Sequence, residues 1–189
     1  WHISLADAEG NNPFTATDGS PREQLKHFIG GWQASARASM ALLAPYAHSY
    51  VRLQRPDASP ASVEWGFDNR TAAFRVPQSN PANRRVEHRL PGGDANPYLS
   101  LALMLGAGLI GMQQQIQPGP EVSDREAVSA RGALPMHLAE ALDELQRCPI
   151  MADIFSADFL ALYDMVKRFE LDEQAADADF AIKHLLDRS

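Results

Sequence analysis

Apolar and polar positions along the chain change period several times, and each change marks an element. Trp1 to Ala6 reads as a short strand, followed by a turn at Ala8 to Asn12 with its glycine and asparagines. From Ser20-Pro21 the spacing becomes helical: Leu25, Phe28, Ile29, Trp32, Ala36, Met40 and Leu43 fall close to one face, and Pro45 stops the run. Ser20 is the candidate N-cap and Pro21 suits the first helical position. The pair Gly30-Gly31 weakens this helix by ~1 kcal/mol per glycine relative to alanine, which points to close packing against another element.

Ser49 to Leu53 reads as extended, and Gln54 to Ala61, with two prolines, as a loop. Val63 to Phe67 and Ala72 to Val76 read as strands joined around Asp68-Asn69-Arg70. Then comes Arg84 to Leu103, RRVEHRLPGGDANPYLSLAL, a charged strand, a Pro-Gly-Gly turn and an apolar helix from Asn96 to about Gln115. Asp94 or Asn96 can cap that helix, and Pro97 sits in its first turn. The apolar run from Tyr98 to Met112 is shorter than the ~20 residues of a membrane span and reads as a buried helix, with Tyr98 in the core. Gln117 to Leu134 is a surface loop. Met136 to Gln146 is a short amphipathic helix, and Ser156 caps a long final one carrying Phe159, Leu160, Tyr163, Val166, Phe169 and Leu171. Phe180, Ile182, Leu185 and Leu186 continue that helix or form a tail helix.

Composition changes the picture in one place. The chain of 189 residues is 45% hydrophobic and 22% charged, enough for one domain with a sizeable core. Its one cysteine, Cys148, forms no intrachain disulfide, and Trp1-His2-Ile3 has neither the basic start nor the apolar segment of a secretory signal, so a cytoplasmic protein is expected. The formal net charge is −7, yet Ser49 to Leu90 holds seven arginines and no lysine against four acidic residues. Arginine grips carboxylate and phosphate in bidentate fashion. An acidic chain with one arginine-rich island suits a small anionic ligand, not a nucleic-acid backbone or a membrane.

On the charged strand, Arg85, Glu87 and Arg89 share one face, and Val86, His88 and Leu90 the other. A carboxylate between two guanidiniums has two readings. It is either a structural ion-pair ladder on a half-exposed sheet or a site for a metal and an anionic substrate. By default His2 is a surface histidine, Ser4 a pleat residue, Arg52 and Arg55 solvated loop arginines, and Arg75 a strand-face ion pair, with Glu64 as a candidate partner.

Several segments, taken in order, resemble the glutamine synthetase family. His2-Ile3-Ser4-Leu5 is similar to the second half of its HxHxSL strand, and His48-Ser49-Tyr50-Val51-Arg52-Leu53 to NSYxRL. Asn69 to Arg75 is similar to NRSAxxR, and Arg85 to Pro91 with Ala95 to Leu99 to RxExRxPxxxANPYL. The resemblance covers residues 1 to about 120, while 121–189 agrees only in being helical. It implies the C-terminal part of the catalytic domain of an ATP-dependent ligase, with an α+β fold in which a curved antiparallel sheet is backed by helices. Such an enzyme phosphorylates the γ-carboxylate of glutamate, and ammonia or an amine displaces the phosphate. Charge neutralisation by Mg2+ or Mn2+ and arginines suits that chemistry. By motif position the resemblance places Glu87 on the metal. It places Arg70 and Arg75 on phosphate, Arg70 also at the transferred group, and Arg70, Arg52 and Arg89 on the substrates. His2, Ser4 and Arg85 are placed at the nucleotide. It further implies a homo-oligomer of stacked rings with sites between subunits.

The departures are informative. The upstream carboxylates that complete the family's metal sites are not in this chain. Ala58 stands where the family has a flap glutamate, with Asp57 adjacent; Ala82 replaces a nucleotide-contacting lysine, and His48 an asparagine. No tyrosine lies in 117–134 to accept adenylylation. Together with the wording Trp65 to Arg70, WGFDNR, these features resemble the branch that ligates polyamines and other amines to glutamate. The alternatives are a non-catalytic structural relative and an arginine-lined anion-binding module.

Overall fold

The computed structural model describes residues 1–54, 60, 62–123, 134–177 and 179–180. Four short strands, β1 (His2–Ile3), β2 (Trp65–Phe67), β3 (Phe74–Val76) and β4 (Val86–His88), form one sheet in the order β1-β4-β3-β2. Five helices accompany them: α1 (Glu23–Leu43), α2 (Pro97–Gln113), α3 (Leu138–Arg147), α4 (Pro149–Ile154) and α5 (Ala157–Ala176). The α+β class expected from the sequence is what the chain adopts. None of the described helices is long and apolar enough to cross a membrane.

The sheet departs from the expected pattern at one edge. β4 pairs antiparallel with β1 and with β3, but β2 and β3 run parallel, Trp65 opposite Phe74 and Phe67 opposite Val76. The connection from Asp68 to Ala73 loops back instead of forming a hairpin. Asn69 directs it: its side-chain oxygen accepts the Thr71 N–H at 2.8 Å and the Thr71 hydroxyl at 2.7 Å. A side chain that bonds its own backbone two residues on is a turn former in its own right. The same Asn69 amide donates to the Val122 carbonyl at 3.2 Å, tying the turn to the loop after α2.

Alternation on β4 does the sorting that the sequence suggests. Val86, His88 and Leu90 are buried, and Arg85, Glu87 and Arg89 lie half-buried on the opposite face. The buried face rests on α1, where the His88 ring packs at 4.6 Å from Trp32 and 4.8 Å from Phe74. Trp32 is fully enclosed and donates its indole N–H to the Met104 carbonyl of α2 at 2.7 Å. A buried indole needs such a partner, and this one also pins the two helices together.

The glycine pair in α1 has the packing role its sequence suggested. A Cβ on Gly31 would stand 2.0 Å from the Ala107 carbonyl oxygen, and one on Gly30 2.0 Å from that of Ile116. The Gly111 Cα of α2 would lie 2.9 Å from the same Gly31 Cβ, so the two backbones touch at a distance no side chain tolerates.

Several expected details change. α1 begins at Glu23, because Ser20 is held by Asp18 and the Arg22 N–H bonds the Phe14 carbonyl; no side chain caps the helix. Residues 47–54 form a 3-10 helix (Ala47–Gln54), not an extended piece. Of the two candidate caps for α2, Asn96 serves, accepting from the Tyr98 and Leu99 N–H groups, while Asp94 accepts from Ser49. Tyr98 is not core: it is 83% exposed, since the first turn of α2 points it away from α1. On α5 the Ser156 cap holds, but Val166 and Phe169 lie open. Ile182, Leu185 and Leu186 lie outside the described residues, as does the central part, 124–133, of the loop before α3.

Candidate active site on the charged face of the sheet

The charged face gathers on Glu87. Three neighbouring strands or their extensions bring it cations from different parts of the sequence. The register that sets Arg75 opposite Glu87 lets Arg75 Nη1 donate to Glu87 Oε2 at 2.9 Å. Arg89 Nη1 stands 3.5 Å from Oε1, and His2 Nε2, delivered by β1, stands 3.9 Å from it. Burial alone would push the Glu87 carboxyl up. The Arg75 hydrogen bond and the charges of Arg89 and His2 outweigh that, and hold it below the usual carboxylate range. His2 moves the opposite way from a simple ion pair: desolvation lowers it more than the Glu87 charge raises it, with Arg85 and Arg75 adding to the fall.

Arg75 does not pair with Glu64. Its second nitrogen, Nη2, donates to Asp68 Oδ1, on the turn that leaves β2. The guanidinium is thus stretched between two carboxylates, one from the turn and one from β4. Its Nε is buried and has no partner among the described residues, and the same holds for that of Arg89. Buried donors left unmet are rare and call for an explanation, and here both flank the same carboxylate.

The remaining residues divide. Arg85 lies at the rim, with its Nε 3.3 Å from His2 Nδ1 and Nη1 3.3 Å from the Asn83 carbonyl. Arg52 reaches from the 3-10 helix to the Leu90 carbonyl, just beyond Arg89, and burial lowers its pKa against the opposing pull of Asp94. Arg70 sits exposed on the turn beside Asp68, close enough to help lower that carboxyl, but the structure does not bring it against Glu87. Ser4 is exposed beyond the end of β1. His48 stacks on Tyr46 at 5.4 Å, 3.9 Å from Asp94. Arg55, Asp57 and Ala58 lie outside the described residues. Ala82 is exposed in the 3-10 turn Pro81–Asn83 that precedes β4.

Asp68 is the site residue that sequence reading passed over. Its backbone has φ +47, a left-handed conformation that Asp tolerates better than most residues. Its N–H donates to the Val76 carbonyl at 2.9 Å. The Asp-Asn-Arg turn was visible in the sequence, but the partner of Asp68 follows only from the parallel register.

As a ligand for a divalent cation, Glu87 fits by its chemistry. It is an ionised oxygen donor whose Oε1 has, among the described residues, no contact as short as a hydrogen bond. It is one ligand of a shell: among the described residues no three His, Cys, Asp or Glu side chains are placed to hold a metal together.

The site is thus an arginine-flanked carboxylate on one face of the sheet of an α+β fold. The sequence matches the model of the glutamine synthetase catalytic domain over residues 1–182, and the chain belongs to that family. It is 37% identical to the γ-glutamylethanolamide synthetase GlnA4 of Streptomyces coelicolor, over 99% of this chain and 40% of that protein. It is 35% identical to the glutamine synthetase of Thermococcus kodakarensis, over 88% of this chain and 39% of that protein. A solved GmaS–ADP complex superposes with a TM-score of 0.80 at 31% identity, over 97% of this chain and 45% of that one. The chain therefore spans less than half the length of the relatives it matches.

Proposed function

We propose that the chain is the C-terminal part of a cytoplasmic ATP-dependent ligase that joins the γ-carboxylate of glutamate to an amine through a γ-glutamyl phosphate. The observation that carries this reading is the ionised Glu87, set among Arg75, Arg89 and His2 with one oxygen open. Phosphoryl transfer asks a protein chiefly to position its reactants and neutralise charge. In this reading Glu87 contributes one ligand to Mg2+ or Mn2+, which shields the nucleotide phosphates. Arg75 and the exposed Arg70 face phosphate, Arg70 at the transferred group. Arg52 and Arg89 hold the glutamate carboxylate, and His2, Ser4 and Arg85 line the nucleotide side. The intact protein assembles as stacked rings of identical subunits, and neighbouring segments supply the remaining ligands.

The amine is larger than ammonia. What supports this is Ala58 at the flap position, which offers no carboxylate for a small ammonium ion, and the name of the Streptomyces relative. A coupled phosphate-release assay of the full-length protein with glutamate, Mg-ATP and a panel of amines tests the reading. Release that needs both glutamate and an organic amine is the expected result. Absence of release with every amine and with ammonia would leave a non-catalytic relative instead.

A further inference from the structure

The ion-pair chain Asp68–Arg75–Glu87 has a geometry that a simple structural ladder does not need. Arg75 could meet Glu87 with both terminal nitrogens, the bidentate arrangement guanidinium and carboxylate prefer. It does not: Nη1 holds Glu87 Oε2 at 2.9 Å, while Nη2 is taken by Asp68. Glu87 Oε1 is left with Arg89 at 3.5 Å and His2 at 3.9 Å. Asp68 is fixed for this task by its left-handed backbone and by its N–H bond to the Val76 carbonyl, which hold it at the corner of the sheet. It is also exposed, so its bond to Arg75 adds little to stability by itself.

We propose that Asp68 is a positioning residue for the metal-binding carboxylate. By occupying Nη2 it restrains Arg75 to a one-point contact with Glu87, which keeps Oε1 open to the divalent cation. Without Asp68 the guanidinium pivots onto both Glu87 oxygens and competes with the cation for them. This rests on the reading of Glu87 as a cation ligand given above.

The test is Mn2+ titration of the full-length protein, with free Mn2+ read by electron paramagnetic resonance, for the parent, Asp68→Gly and Glu87→Gln. Glycine keeps the tolerance of the left-handed backbone and removes the acceptor together with the charge. The expected result for Asp68→Gly is a loss of about 10-fold in Mn2+ affinity, as for other residues that orient a metal ligand. The loss should persist at high salt, with the metal-free melting temperature unchanged. Mn2+ affinity within about 2-fold of the parent, while Glu87→Gln binds poorly, overturns this inference and leaves the reading of Glu87 standing. A loss that vanishes at high salt reduces Asp68 to a remote surface charge and also overturns it, because exposed charges are screened and a repositioned guanidinium is not. So does a metal-free melting temperature lowered by about 5 °C or more, which marks a structural residue. Unchanged Mn2+ affinity in Glu87→Gln overturns both.

Discussion

The two faces of β4 make opposite use of the same three residues of backbone. On one face Val86, His88 and Leu90 are buried against α1, and packing decides everything: even the histidine is enclosed between Trp32 and Phe74. On the other, Glu87 and Arg89 sit half-buried in a charged cluster whose members come from the turn after β2, from β3, β4 and β1. The packed face is rigid and indifferent to ligands. The charged face holds buried guanidinium nitrogens without partners, at Arg75 and Arg89. A sheet only a few residues wide can be held firm from one side and left chemically incomplete on the other. That division lets a carboxylate be held in place among guanidinium donors that are not all matched.

The comparison can be broken from either side. The largest effect is expected for Glu87→Ala in the full-length protein: metal-dependent activity should fall by at least about 10^3-fold, as when a principal charge-stabilising group is removed. Far-ultraviolet circular dichroism and the melting temperature should be unchanged, because the residue lies off the core. Next comes Gly31→Ala, which touches no charged group. Its Cβ would meet the Ala107 carbonyl oxygen at 2.0 Å and the Gly111 Cα at 2.9 Å, both backbone, so α1 and α2 must separate. Denaturant unfolding should show a loss of about 3 kcal/mol, the upper end for overpacking. Arg89→Ala follows. It should raise the glutamate KM about 10- to 100-fold with a smaller change in kcat, and an unchanged KM would remove Arg89 from the substrate side.

The smallest effect concerns pH. Burial drives His88 down to about 3 from its ordinary 6.5. It is therefore neutral in the folded state through the physiological range, while the unfolded chain protonates near 6.5. Above that pH the residue carries no proton-linked penalty. Between about pH 6.5 and 3 the unfolded state binds the extra proton, and stability falls by ~1.4 kcal/mol per pH unit from this group. His88→Phe keeps the aromatic contacts with Trp32 and Phe74 and should flatten the upper part of that slope, between pH 6.5 and 5. A parent and variant of equal slope there would show that His88 is not the group responsible. The carboxylates of the charged face act at lower pH, since Glu87 is held below its ordinary value.

The sequence by itself determined the period-two sorting of β4, the close packing of α1 against another element at Gly30 and Gly31, the Ser156 cap, and the family. Those features are local or ordered along the chain, and a strand, a cap or a motif is complete within a few residues. It did not determine where Arg75 goes. Glu64, eleven residues before it, is a reasonable partner in sequence, and Glu87, twelve after, wins because β3 lies antiparallel to β4 in a register that sets the two opposite. Nor did it determine the parallel pairing of β2 with β3, which Asn69 and its bond to Val122 set up and which brings Asp68 onto Arg75. Tyr98 reads as core because an apolar run carries no sign of which side faces the neighbouring helix; only the docking of α2 on α1 leaves it exposed. Ion pairs and exposure depend on which elements meet, and that is a property of the assembled fold, where register and helix contact select among partners of equal chemistry.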